Sequence, residues 1–155
     1  MIVVSDTSPI TALLAVGCGE LLPQLFGDVV IPRAVEKELR RTHSSLPPWV
    51  RVMTVHDRAK TTLYAQKVDL GEAEAIALTQ ELSADLLLID ERIGRVIAAR
   101  FGIKIIGLLG VVMEAKHRGL IREIKPLIDA LTNVGFRIGN DLYERVLQAA
   151  GEQQS

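Results

Sequence analysis

Short apolar runs alternate along the chain with longer stretches in which apolar positions recur every three to four residues, the spacing of one helix face. The run Ile2-Val3-Val4-Ser5 reads as a strand. A helix over 9–16 follows, with Ser8 as its N-cap and Pro9 in the first helical position. Gly17 and Gly19 bracket a break before a short helix at 20–26. Val29-Val30-Ile31 is a second strand, and Pro32 opens a helix over 33–41. After a loop at 42–48, residues 50–55 alternate like a third strand, an edge element or an irregular one. Helical spacing returns at 58–67 and 71–82. A strand at 86–89, a helix at 91–101, a short strand at 104–106 and a helix at 108–118 continue the alternation. Helical patterns near 123–133 and 141–150 end the series, with Gly151 as a stop signal. Strands alternating with helices imply a mostly parallel sheet with right-handed crossovers, hence an α/β fold.

Composition narrows this little. With 155 residues, 48% apolar and 24% charged, the chain fits one globular domain over 1–155. The apolar runs are too short to span a membrane, and the first of them already ends on Asp6 with no cleavage site behind a basic start. The lone Cys18 rules out an internal disulfide and suits a reducing cytoplasm, and it reads as an inert buried thiol. Eighteen basic and 19 acidic residues give a net charge of −1, so nucleic acid could be bound only through a local patch.

Chemistry enters with the carboxylates. Asp6 ends the first strand and Asp90 ends the strand at 86–89. In open α/β sheets ligands bind outside the carboxyl ends of the strands, and acids converging there are costly unless a hard cation neutralises them. That combination points to a metal-dependent site. Asp90 could instead cap the helix after it. Glu38 lies on the Ala34-Val35-Leu39 face of its helix, where a carboxylate needs a partner, whereas Glu36 points to solvent. Asp69-x-x-Glu72 has the form of a capping box, and Glu72 and Glu74, two residues apart, diverge by about 200°. Gly71, Ala73, Ala75 and Ala77 allow this helix to approach another backbone closely.

The ordered set Val-Ser-Asp6-Thr7-Ser8-Pro9, Pro32-x-x-Val35-x-x-Glu38-Leu39, Gly71-Glu72-Ala73-Glu74-Ala75-Ile76 and Leu88-Ile89-Asp90-Glu91-Arg92 resembles the PIN (PilT N-terminus) domain nucleases, which include the VapC-type toxins of prokaryotic toxin–antitoxin pairs. The likeness runs from residue 2 to about residue 106, and 107–155 would supply C-terminal helices. It implies a three-layer α/β/α domain and a ribonuclease using Mg²⁺ or Mn²⁺. By motif, the catalytic and metal-holding acids fall on Asp6, Glu38, Glu72 and Asp90. Thr7 and Ser8 would support them by orienting water, with Glu74 in reserve for Glu72. Two departures stand out: Glu72 replaces the usual Asp, and Leu88-Ile89-Asp90 replaces Thr-x-Asp. A non-catalytic PIN-like module that binds RNA or protein is the alternative. The resemblance also implies an RNA substrate, a small antitoxin protein and a homodimer.

Arg92 and Arg95 after Asp90, and Arg40 with Arg41 after Glu38, are candidate contacts to RNA, as is the cluster Lys116-His117-Arg118. Aromatic residues, 4% of the chain, are too few for a platform stacking successive bases. His43, His56 and His117 lack zinc-ligand spacing and read as surface residues, and no Gly-rich phosphate loop is present.

Overall fold

The computed structural model describes residues 1–152. Five strands, β1 (Val3–Ser5), β2 (Val29–Pro32), β3 (Val50–Met53), β4 (Leu86–Leu88) and β5 (Ile105–Ile106), form one parallel sheet in the order β3-β2-β1-β4-β5. The helices are α1 (Thr7–Ala15), α2 (Leu21–Phe26), α3 (Arg33–Thr42), α4 (Arg58–Tyr64), α5 (Leu70–Glu81), α6 (Arg92–Arg100), α7 (Leu108–His117), α8 (Lys125–Asn133) and α9 (Asn140–Ala149). No helix among the described residues is long and apolar enough to cross a membrane.

The three layers follow from the period-two alternation of the strands. Val3, Val29 and Leu88 face one core with Ile10, Leu22, Val111 and Ile128 of α1, α2, α7 and α8. Val4, Leu87 and Ile89 face the other with Tyr64, Ile76 and Ala98 of α4, α5 and α6. β3 is one of the two edge strands and stops at Met53, so the last residues of the predicted strand are not paired.

The chain leaves β1 toward β2 on one side, and β4 sits on its other side. The strand order therefore reverses between β1 and β4, and a crevice opens at their carboxyl ends. The Asp6 N–H donates to Leu88 O at 2.9 Å and fixes that junction. One boundary departs from expectation. Asp6, with extended backbone, is the N-cap of α1, and Ser8 lies inside the first turn. Cys18 is half-buried in the break between α1 and α2 rather than within a helix.

Candidate functional site

A cleft of about 1010 Å³ lies at the β1/β4 reversal, and Asp6, Glu38, Asp69, Glu72, Asp90 and Glu91 all line it. Different elements deliver each acid. Asp6 follows β1 directly and is only 5% exposed. Its side chain caps nothing. Burial pushes its carboxyl up to about 7. The Thr7 amide pulls it down, and the charges of Asp69, Glu38 and Asp90 push it further up. Beside it Thr7 Oγ1 is buried without a hydrogen-bond partner among the described residues.

Glu72 sits in the first turn of α5 and is 6% exposed. Burial, then hydrogen bonding with the carboxyls of Asp69 and Glu91, then the charges of Asp6 and Asp69, push it up to about 10. Two carboxyls can share a hydrogen bond only through a proton. Glu72 Oε2 meets no donor among the described residues. Glu38, half-buried on α3, lies over Gly71: a methyl group there would come within 2.5 Å of Glu38 Oε1.

Asp90 does not cap α6. Glu91 does so, accepting from the Ile93 and Gly94 amides at 3.0 and 2.6 Å. Asp90 instead accepts the Leu108 N–H at the start of α7, at 2.9 and 3.2 Å to its two oxygens. Burial raises its carboxyl, and the Leu108 amide and the Arg95 charge act in the opposite sense. Asp69 caps α5 by accepting the Glu72 N–H at 2.8 Å, as the capping-box spacing predicts.

The structure thus brings Asp6, Glu38, Glu72 and Asp90 to one cleft, with Thr7 and Ser8 on its wall. It adds Asp69 and Glu91, which the sequence reading used only as a cap or passed over. A signal was present for Glu91, which follows a strand end directly, but not for Asp69, which lies between two helices in sequence. Glu74 does not reach the cleft. It is 5% exposed, accepts the Ala34 N–H at 3.0 Å and pairs with Arg58 at 2.9 Å.

Among the candidate cations, Arg95 lines the cleft. Arg92 is exposed outside it, and Arg40 pairs with Glu36 at 3.2 Å. Lys116 binds Glu152, and Arg118 binds Glu114 and Leu25 O, at the end of α7 remote from Asp90. Arg137, which the sequence reading did not single out, also lines the cleft.

Six acids line this cleft against two arginines, an excess of acid that a bound cation would offset. Among the described residues no three such side chains are set to hold an ion directly. Mg²⁺ keeps several waters and needs only one or two carboxylates plus a substrate phosphate, so it does not require three side chains so set. The donors are all oxygen, and the orphaned Glu72 Oε2 and Thr7 Oγ1 have no other partner, so the residues fit a hard divalent ion and its waters.

The model of a family described as a PIN domain matches residues 2–152. No curated protein and no solved structure shows significant similarity to the chain.

Proposed function

From the premise that this chain belongs to the PIN domain family, whose members are generally nucleases, we propose that it hydrolyses RNA phosphodiester bonds with Mg²⁺ or Mn²⁺. The observation that supports this most is the buried Glu72 carboxyl, which has acids and no donor around it beside an equally buried Asp6. Carboxylates so placed are stable only when protonated or neutralised by a cation.

Asp6 and Asp90, at the ends of adjacent strands, would hold the ion, with Glu38 and Glu72 reaching it through its waters. When bound, the ion supplies charge neutralisation at the scissile phosphate and a more acidic attacking water. Thr7 Oγ1 would orient that water, since its hydroxyl is otherwise unused. Asp69 and Glu91 position the site: each fixes the first turn of the helix that carries or faces Glu72. Arg95, held next to Asp90 across Gly107, would receive a phosphate oxygen.

The resemblance extends the reading to the toxin of a toxin–antitoxin pair, acting in the cytoplasm as a homodimer and held inactive by a small antitoxin. Growth arrest on expression, absent for Asp6→Asn, would support that role. The enzymatic reading is tested by incubating purified protein with Mn²⁺ and RNA. Cleavage should be lost on chelation and fall by at least about a hundredfold in Asp6→Asn. Equal cleavage with and without Asp6 would falsify the metal site. RNA that is bound but never cleaved would leave a binding module.

A further inference from the structure

The cleft is far larger than an ion requires. Six waters at about 30 Å³ each occupy roughly 200 Å³, against about 1010 Å³ here. Beyond Asp90 and Arg95 the lining changes character, to Ala12 and Ala15 of α1, Leu109 of α7, the α8–α9 connection at 134–137 and Leu142 of α9. Val134 and Leu142 are exposed there at 47% and 39%.

The connection is rigidly built. Gly135, at φ +108°, ends α8 by donating to Thr132 O at 3.2 Å, and the Phe136 N–H reaches back to Leu131 O at 3.0 Å. This paired closure fixes the backbone just past a helix end. Phe136 packs partly on the main core and is the one aromatic side chain of the cleft. Arg137 beside it is exposed and makes no ion pair or side-chain hydrogen bond among the described residues. A half-buried ring on the cleft wall with an unpaired, exposed guanidinium next to it matches a nucleotide: a base stacks on the ring, and its phosphate meets the cation.

We propose that Phe136 and Arg137 form a nucleotide subsite for the RNA strand whose scissile phosphate lies at the acids, with the base of one flanking nucleotide on the Phe136 ring and its phosphate on Arg137. The inference rests on the nuclease reading for the RNA strand and for the place of its scissile phosphate. It assigns binding and specificity to a segment outside the acidic motifs. With only one ring available, one base is stacked rather than a series.

The test uses the full chain carrying Asp6→Asn, so that RNA is bound and not cleaved, and a short fluorescein-labelled single-stranded RNA read by anisotropy. Adding Phe136→Leu, which keeps an apolar side chain for the core, should weaken binding about fivefold or more. The slope of affinity against salt should not change. Adding Arg137→Ala should weaken binding and make that slope shallower by about 0.7. With an abasic strand, Phe136→Leu should have no effect, which separates stacking from loss of fold. Binding within twofold for both variants would overturn the subsite. So would an equal loss on the abasic strand. Cleavage by the two variants with Asp6 intact is measured alongside, so failure here is distinguishable from failure of the nuclease reading.

Discussion

Asp6, Glu72 and Glu74 are almost equally withdrawn from water, at 5%, 6% and 5% exposure, yet their surroundings assign them opposite roles. Glu74 has two donors, the Ala34 N–H and Arg58. Glu72 has acids, and Asp6 has acids and only the adjacent Thr7 amide. Glu74→Ala should therefore cost about 1–3 kcal/mol of stability, by orphaning a half-buried amide and a cation, with metal affinity little changed. Glu72→Gln should weaken Mn²⁺ binding and leave the melting temperature of the metal-free protein level or higher. Calorimetric titration and thermal melts separate the two, and a larger loss of metal affinity in the Glu74 variant would reverse the assignment. The raised carboxyls also fix the sign of the pH dependence. Over the window from about 4 to about 7 for Asp6, and on to about 10 for Glu72, the folded chain holds protons that the unfolded chain has released. Metal-free stability must then fall as pH rises. The rise from 3.8 to about 7 at Asp6 is worth at most about 4 kcal/mol, and water in the cleft reduces it to about 2. The metal-free melting temperature should drop by at least about 4–8 °C between pH 5 and pH 8, with Mn²⁺ restoring it at pH 8 and Asp6→Asn reducing the change to the part that Glu72 contributes. A metal-free melting temperature that climbs over that range would contradict the buried-acid account. The divergence of Glu72 from Glu74 was legible from 100° per residue. The identity of Glu74's partner was not, because Arg58 lies on α4 and the register of α4 on α5 is a tertiary fact.

At the scale of elements, most of the sheet was readable because buried parallel strands are short apolar runs and the helices between them keep their period. β1, β2, β4 and β5 fall where the pattern puts them, and β3 takes an edge. Helix ends were less legible. The start of α1 was placed on Ser8 because Pro9 resembles a first helical residue. The structure begins the helix at Thr7, which leaves Asp6 at the cap position with its carboxyl free for the cleft. Of the two expectations for Asp90, ligand or cap of α6, the cap does not hold: Glu91 caps α6, and Asp90 accepts the first amide of α7, 18 residues further on. No local pattern reports that approach. α5 shows how an element positions the site: Gly71 through Thr79 are all buried, so its small residues accommodate neighbours on every side. Gly71 matters most, because the Glu38 carboxyl occupies the space a methyl would take. Gly71→Ala should keep the fold, since the obstructing atom is the end of a flexible side chain. Helix propensity favours Ala by about 1 kcal/mol, offsetting some of the crowding. Glu38 must swing away, so Mn²⁺ affinity should fall several-fold while the melting temperature stays within a few degrees. Unchanged affinity would show that Glu38 does not need its seat on Gly71.

Across the whole molecule, a net charge of −1 conceals a local excess of acid, with six of the 19 acids lining the cleft and two arginines beside and beyond them. The resemblance visible in sequence faded near residue 106, whereas the family match continues to 152. The reason is physical: α7, α8 and α9 carry no acid of the cleft and are specified by packing, which many apolar sequences satisfy. What fastens them is a residue no periodicity would single out. Glu152, past the end of α9, accepts the Ile124 and Lys125 amides at 2.8 and 3.0 Å and the Lys116 ammonium at 2.7 Å. Its carboxylate therefore caps α8 from the far end of the chain and ties α9 to α7 in the same contact. Glu152→Ala leaves two first-turn amides without their acceptor and the mostly buried Lys116 ammonium with only Ala150 O, a loss of about 2–3 kcal/mol. The loss should be local. Amide hydrogen exchange should speed up across 124–152 while β1, β4 and α5 keep their protection, because their contacts do not pass through this clip. Mn²⁺ affinity should hold, since none of the six acids sits on α8 or α9. RNA affinity should fall, since the α8–α9 connection carries Phe136 and Arg137. Exchange that accelerates evenly through the sheet would show instead that the C-terminal helices are fused with the core into one cooperative unit.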